Sequence, residues 1–159
     1  MKDTTEQEAY QKLTALCARS EHCQHDIIEK MRLWGFDEKT QKQVTNRLVE
    51  ERYVDDTRYT RAYVNDKVHY AKWGRRKIEQ GLWMKHIDAQ LAKTALDEVD
   101  DADYVATLRP MLRQKRKSTK AQSEYELTMK LIKYAMSRGF TMDIIKQCID
   151  VEDEDEFSV

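Results

Sequence analysis

Cys17, His22, Cys23 and His25 fall within one nine-residue window, and thiolate and imidazole are the ligands that zinc takes. Their spacing forms neither a CxxC nor an HxxxH pair, and Cys23 stands where a helix cap is expected, so a metal site is set aside. Cysteine nucleophilic chemistry finds no oxyanion element or orienting acid at a recognisable spacing. The four glycines, Gly35, Gly74, Gly81 and Gly139, are scattered singly, which leaves no loop to cradle a phosphate. The chain therefore reads as a non-enzyme that needs no metal and no cofactor.

Cationic chemistry is the exception. Net charge is −1 over 159 residues, yet residues 1–54 carry about −1, 55–120 about +5 and 121–159 about −5. The excess sits in two runs without an acid: Lys67, Lys72, Arg75, Arg76 and Lys77, then Arg109, Arg113, Lys115, Arg116, Lys117 and Lys120. Runs of this kind suit phosphates or an acidic protein surface; a solvated helix face is the competing reading. Trp73 lies among Lys72, Arg75 and Arg76, where it could stack on a base or an arginine, although burial under the next helix is the stronger reading. Tyr59 and Tyr63, with Ala62, share one helical face and are read as core.

These residues must be held by helices. Gly is scarce, Pro110 is the one proline, and charged residues make up 36% of the chain. Apolar spacing predicts helices near 5–19, 24–34, 38–52, 56–72, 75–85, 89–99, 102–116, 124–138 and 142–150, followed by a tail. Thr5 with Glu8 and Ser123 with Glu126 have capping-box spacing, and Asp55-Asp56 opens the fourth helix. Pro110 should kink or split the seventh.

One phrase recurs three times, with Phe36-Asp37, Ile87-Asp88 and Phe140-Thr141 at equivalent points, 51 and then 53 residues apart. Gly35 and Gly139 precede two of them and suit a left-handed helix end; His86 must do the same without glycine's freedom. The pattern predicts an all-α fold, an elongated array of three tandem helix-turn-helix-like units of three helices each. Their bounds are 1–54, 55–100 and 101–151, with an acidic tail over 152–159. Leu16, Ile27, Met31, Phe36, Val44, Leu48, Tyr59, Tyr63, Ile78, Leu82, Ile87, Leu91, Ile132, Phe140 and Ile144 are the expected core. No apolar stretch approaches the roughly 20 residues a membrane span needs, no secretion signal is apparent, and three cysteines make no disulfide framework, so a cytoplasmic monomer is expected.

The segment Tyr53-Val54-Asp55-Asp56-Thr57-Arg58-Tyr59-Thr60-Arg61-Ala62-Tyr63-Val64 resembles the signature of the RecX family. So do Ala18–Cys23 with Ile27–Met31, the basic turn Lys72–Ile78, and Ser137–Phe140 with Met142–Ile145. Departures are Cys23 in place of a serine or threonine cap, Arg75 where proline is common, and Pro110 inside a helix. The resemblance implies a regulator that lies in the groove of the RecA–DNA filament and restrains strand exchange and coprotease activity, with RecA as partner and single- or double-stranded DNA as a further contact. Arg58, Lys67, Lys72, Arg75, Arg76 and Lys77, with Arg116 and Lys117 second, are its candidate contacts here. The alternative is a protein of helix-turn-helix type that acts directly on DNA, although its third helices hold few base-reading residues: Gln41, Gln43, Asn46, Gln90 and Gln147.

Overall fold

Each second helix of the repeat ends in the same way, and the reason is a backbone hydrogen-bond pattern. In the computed structural model, which describes the backbone of residues 5–157 and the side chains of residues 5–149, Gly35, His86 and Gly139 have φ of 88°, 56° and 93°. Phe36, Ile87 and Phe140 then send their N–H groups back to the carbonyls of Met31, Leu82 and Ala135, at 3.1, 3.1 and 3.2 Å. Gly35, His86 and Gly139 donate to Arg32, Trp83 and Met136. This pair of bonds satisfies carbonyls that a helix end leaves orphaned. The next helix is capped at once: Asp37 accepts from the Thr40 N–H at 2.8 Å, and Asp88 from those of Gln90 and Leu91 at 3.1 Å.

The helices are α1 (Glu6–Arg19), α2 (Gln24–Leu33), α3 (Glu38–Glu50), α4 (Asp56–His69), α5 (Arg75–Met84), α6 (Ala89–Asp97), α7 (Asp101–Ser118), α8 (Glu124–Ser137) and α9 (Met142–Phe157). Among the described residues there is no strand, so the all-α repeat array stands. Thr5 and Ser123 accept from the N–H groups of Glu8 and Glu126, as the capping-box spacing predicts; the Glu126 carboxylate closes its box on the Gln122 N–H, one residue early.

Two expectations about the helices' extent change. Pro110 does not split α7, which runs unbroken through it. Tyr104, Val105, Leu108 and Leu112 are buried on both sides of the proline, and α7 packs against α8 and α9, so tertiary packing outweighs the missing bond. The last helix continues to Phe157 where a tail from 152 was expected; the side chains of the acidic end lie outside the described residues, as do residues 158–159.

The helices form two compact units. The first contains residues up to Tyr63 and Leu82–Ala92, the second Val64–Gly81 and residues from Lys93 onward. In the first, Tyr10, Leu13, Ile27, Met31, Val44, Leu48 and Val54 form a core on which Leu16, Cys17, Trp34 and Phe36 pack partly exposed. Asp26 of α2 meets Lys85 Nζ at 2.7 Å. Burial raises the Asp26 carboxyl, but the hydrogen bond and charge of Lys85 outweigh burial and hold it below the usual range. In the second unit, Leu108, Leu112, Leu131, Phe140 and Ile145 are fully buried, and Tyr104 meets Phe140 edge-on at 6.5 Å. Leu16, Phe36, Tyr63, Leu91 and Ile132, expected inside, are only partly buried; on α8 the core place belongs to Leu131, one residue before Ile132.

Two glycines of the second unit are packed against backbone. A Cβ on Gly74 would lie 2.3 Å from the Phe140 nitrogen, and one on Gly139 would lie 2.4 Å from Lys77 Cβ, whereas one on Gly35 meets nothing. Gly74→Ala and Gly139→Ala should each cost about 2–4 kcal/mol in urea unfolding, and Gly35→Ala about 1 kcal/mol, from its left-handed backbone alone. Equal losses at all three would refute the interlock. Lys85→Met should cost about 1 kcal/mol at neutral pH. Because the carboxyl is depressed in the fold, that difference is present above about pH 4 and fades as pH falls through the lowered value. Unfolding curves of both proteins across this range are the check.

Candidate functional site

The signature aspartates act as two different caps. Asp55 closes its own helix, accepting from the N–H groups of Thr57 and Arg58 at 2.9 and 3.1 Å. Asp56 reaches to another: its Oδ1 accepts from the Gln24 N–H at 2.9 Å and its Oδ2 from Gln24 Nε2 at 3.3 Å. The first N–H of α2 is thereby satisfied, which Cys23 at the N-cap does not do. Thr60 is fully buried and donates to the Asp56 carbonyl at 2.6 Å. Arg58 is drawn into the same knot. It pairs with Glu21 and donates to the carbonyls of Arg52 and Tyr53, where the chain leaves α3. Tyr59 is buried, Tyr63 half-buried with its ring centroid 5.8 Å from that of Tyr59, and Ala62 exposed.

The cysteine–histidine window disperses. Cys23 is fully buried, and burial pushes its thiol up to about 11, so it stays protonated; its Sγ lies 4.0 Å from the Lys85 carbonyl. His22 lies 3.7 Å from Asp26, and His25 stacks on His86 with ring centroids 4.1 Å apart. Among the described residues, no three or more His, Cys, Asp or Glu side chains are grouped so as to hold a metal ion.

In the second unit the basic run folds around Trp73. Lys67 Nζ stands 4.5 Å and Lys77 Nζ 4.6 Å from the ring centroid, so both ammonium groups lie against its π-system. Trp73 is half-buried, and its backbone N–H donates to the Lys67 carbonyl at 2.8 Å. Lys72, just before it, is exposed with φ of 61°. The turn is pinned to the α8–α9 turn by two bonds, Gly74 N–H to the Arg138 carbonyl at 2.8 Å and Arg76 N–H to the Gly139 carbonyl at 3.0 Å. Arg75 pairs with Asp97 at 2.7 Å, which the neighbouring Lys93 also contacts. The Arg76 side chain is exposed and without a partner among the described residues.

The second run divides likewise. Arg116 meets Glu124 at 2.9 Å, while Lys117 is exposed. Lys115 Nζ lies 4.9 Å and the Arg138 guanidinium 5.5 Å from the Tyr134 centroid. Lys72, Lys115, Tyr134 and Arg138 line one open cleft of ≈ 490 Å³. Lys115 stood in the second run, but Tyr134 and Arg138 carry no such signal: they belong to α8 and its cap, outside both basic runs. Outside the basic surface, the first unit exposes Trp83 by 77% and Met84 by 64%.

Known proteins give this arrangement a family. Residues 55–96 match the model described as RecX, second three-helix domain, and residues 101–149 that described as RecX, third three-helix domain. The chain belongs to the RecX family. The regulatory protein RecX of Acinetobacter baylyi is 30% identical over 141 residues, spanning 88% of this chain and 86% of the relative. That of Vibrio campbellii is 29% identical over 140 residues and 88% of each chain. The crystal structure of RecX from Lactobacillus salivarius superposes with a TM-score of 0.83 at 21% identity, over 93% of this chain and 96% of that one. A second RecX crystal structure gives 0.84 at 18% identity, over 91% and 73%. These two likenesses establish the fold; the family match makes the chain a regulatory protein of that family. Among its described residues, no helix is long and apolar enough to cross a membrane.

The site residues separate into those that serve the fold and those that face outward, and substitution distinguishes them. Replacing Lys67 and Lys77 together by Met should cost about 1–2 kcal/mol by removing both cation–π contacts. Arg76→Ala and Lys117→Ala should leave the unfolding midpoint unchanged. A stable Lys67/Lys77 variant in denaturant titration would show that Trp73 does not depend on its two cations.

Proposed function

We propose that this RecX protein binds the filament that RecA recombinase forms on DNA and lowers its strand exchange, ATP hydrolysis and coprotease activity, in DNA repair and the SOS response, with no catalysis of its own. The observation that carries the reading is the family match over residues 55–149, which begins on the Asp55-Asp56 cap. A regulator built from repeats suits a partner built from repeats, because several weak contacts multiply without a deep pocket. On this reading the chain works as a cytoplasmic monomer made of three units over 1–54, 55–100 and 101–151. Arg76, Lys117 and Lys72 are the exposed cations that meet acidic protein or phosphate; Lys67 and Lys77 pack on Trp73, and Arg75, Arg58 and Arg116 pair with Asp97, Glu21 and Glu124. Trp83 and Met84 supply an apolar contact of the kind that protein interfaces concentrate.

Direct reading of DNA by a helix-turn-helix is less well supported. Gln41, the first base-reading candidate, is buried and donates its amide to the Phe36 carbonyl at 2.8 Å.

The experiment is RecA strand exchange and DNA-dependent ATP hydrolysis with increasing amounts of this protein. Both activities should fall, and the protein alone should hydrolyse no ATP. Arg76→Glu with Lys117→Glu should weaken inhibition about tenfold while leaving helicity intact. Replacing Arg75 is a poor test, since a glutamate there would face Asp97. Unchanged RecA activity at saturating protein would refute the proposal, and a preferred sequence on naked duplex would favour the DNA-reading alternative.

A further inference from the structure

The open cleft of the second unit is built for an anion that carries more than one charge. Three cations line it, Lys72 from the α4–α5 turn, Lys115 from α7 and Arg138 from the cap of α8, and no aspartate or glutamate does. An entering anion therefore meets attraction without an opposing carboxylate in the walls. A single carboxylate would leave most of this charge unanswered; an oligophosphate would match it, since phosphate oxygens take charge-assisted bonds from lysine and arginine alike. The remaining wall is not charged. Pro110 and Met111 give it an apolar side, and Gln114 and Ser118 offer polar groups beside it.

The cations are also held in advance. The ring of Tyr134 lies under both the Lys115 ammonium and the Arg138 guanidinium. The turn that carries Lys72 is tied to the Arg138 carbonyl by the Gly74 N–H at 2.8 Å, so the backbones that bear these two cations are held together. Holding side chains ready lowers the ordering cost that a ligand must offset. Pro110 adds an independent sign. A proline in a helix interior is costly, and this one is exposed, with its ring on the cleft wall. A volume of ≈ 490 Å³ falls within the range of small-ligand sites and exceeds what a simple inorganic ion needs.

We propose that this cleft binds a phosphorylated nucleoside, with the phosphates on Lys72, Lys115 and Arg138 and the base against Pro110 and Met111. The ligand chemistry is shared by a free nucleotide and by the nucleotides of a strand, and binding requires no RecA. The inference thus stands or falls separately from the filament reading.

Isothermal titration calorimetry of the full chain at low salt tests it, with ATP, inorganic triphosphate and a short oligothymidylate as probes. ATP should bind, and inorganic triphosphate should bind more weakly because it lacks the base. Lys115→Ala and Arg138→Ala should each weaken ATP binding about tenfold, the effect of losing one charge-assisted bond. Lys72→Gly, which keeps the left-handed turn, should do likewise, and Lys39→Ala, an equal loss of charge on α3, should not. An oligothymidylate that binds more tightly than ATP, with the same sensitivity to these variants, identifies a strand as the source of the phosphates; the reverse order identifies a free nucleotide. Circular dichroism of each variant separates lost binding from lost folding, and Lys115→Ala, at an exposed position, decides if Arg138→Ala unfolds. Absence of binding by ATP and oligothymidylate, equal affinity for triphosphate and ATP, or affinities that the cleft variants leave unchanged would overturn the proposal.

Discussion

When a helix must stop and the chain must leave at a steep angle, the last carbonyls need donors, and a residue with positive φ brings the following N–H groups back to them. Three times in this protein that requirement sets the geometry. The residue after the left-handed one is drawn inward by its bond to the carbonyl five positions back, which is why Phe36, Ile87 and Phe140 are apolar. The residue after that is pointed outward at the start of a new helix, which is why Asp37, Asp88 and Thr141 are polar and able to cap. The same turn carries unequal demands: Gly35 needs only its φ, Gly139 also needs the absence of a side chain, and His86 tolerates the conformation with a ring that stacks on His25.

Because that turn is local, it was legible. An apolar residue, a capping oxygen and a preceding glycine are all neighbours in sequence, so the recurring turn and the helix starts could be placed from the sequence alone. The site was much less legible. No spacing shows that the fold brings Lys67 and Lys77 to Trp73 or pairs Arg58 with Glu21. Asp56 looks like a helix opener for α4 and in fact caps α2, 32 residues back. Arg138 could not be joined to Lys72 and Lys115 by any spacing, since the bond that brings it near runs between turns distant in sequence. Pro110 misled in the other direction: a local rule predicted a break, and buried residues on both sides overrode it.

The sorting of charges has a functional sense. A basic run entirely given to binding would repel itself in the folded state; here Asp97 and Glu124 neutralise Arg75 and Arg116, one arginine from each run, and Trp73 accommodates two lysines of the first. What remains outward is a small set of cations at defined places, with an apolar pair at Trp83 and Met84 elsewhere. Exposed charges of this kind contribute little individually and are screened by salt.

Neither compact unit is a continuous stretch of chain: the first borrows Leu82–Ala92 and the second begins at Val64. During synthesis the first unit therefore stays incomplete until residue 92 is available. The α4–α5 turn waits longer, since the carbonyls of Arg138 and Gly139 that receive its N–H groups come roughly 60 residues later. At about 5–20 residues per second that delay lasts about 3–12 seconds, during which Trp73 and its lysines have no second turn to lock against. The nascent protein is thus a sequence of unfinished surfaces, completed in its second unit only when the last repeat has emerged.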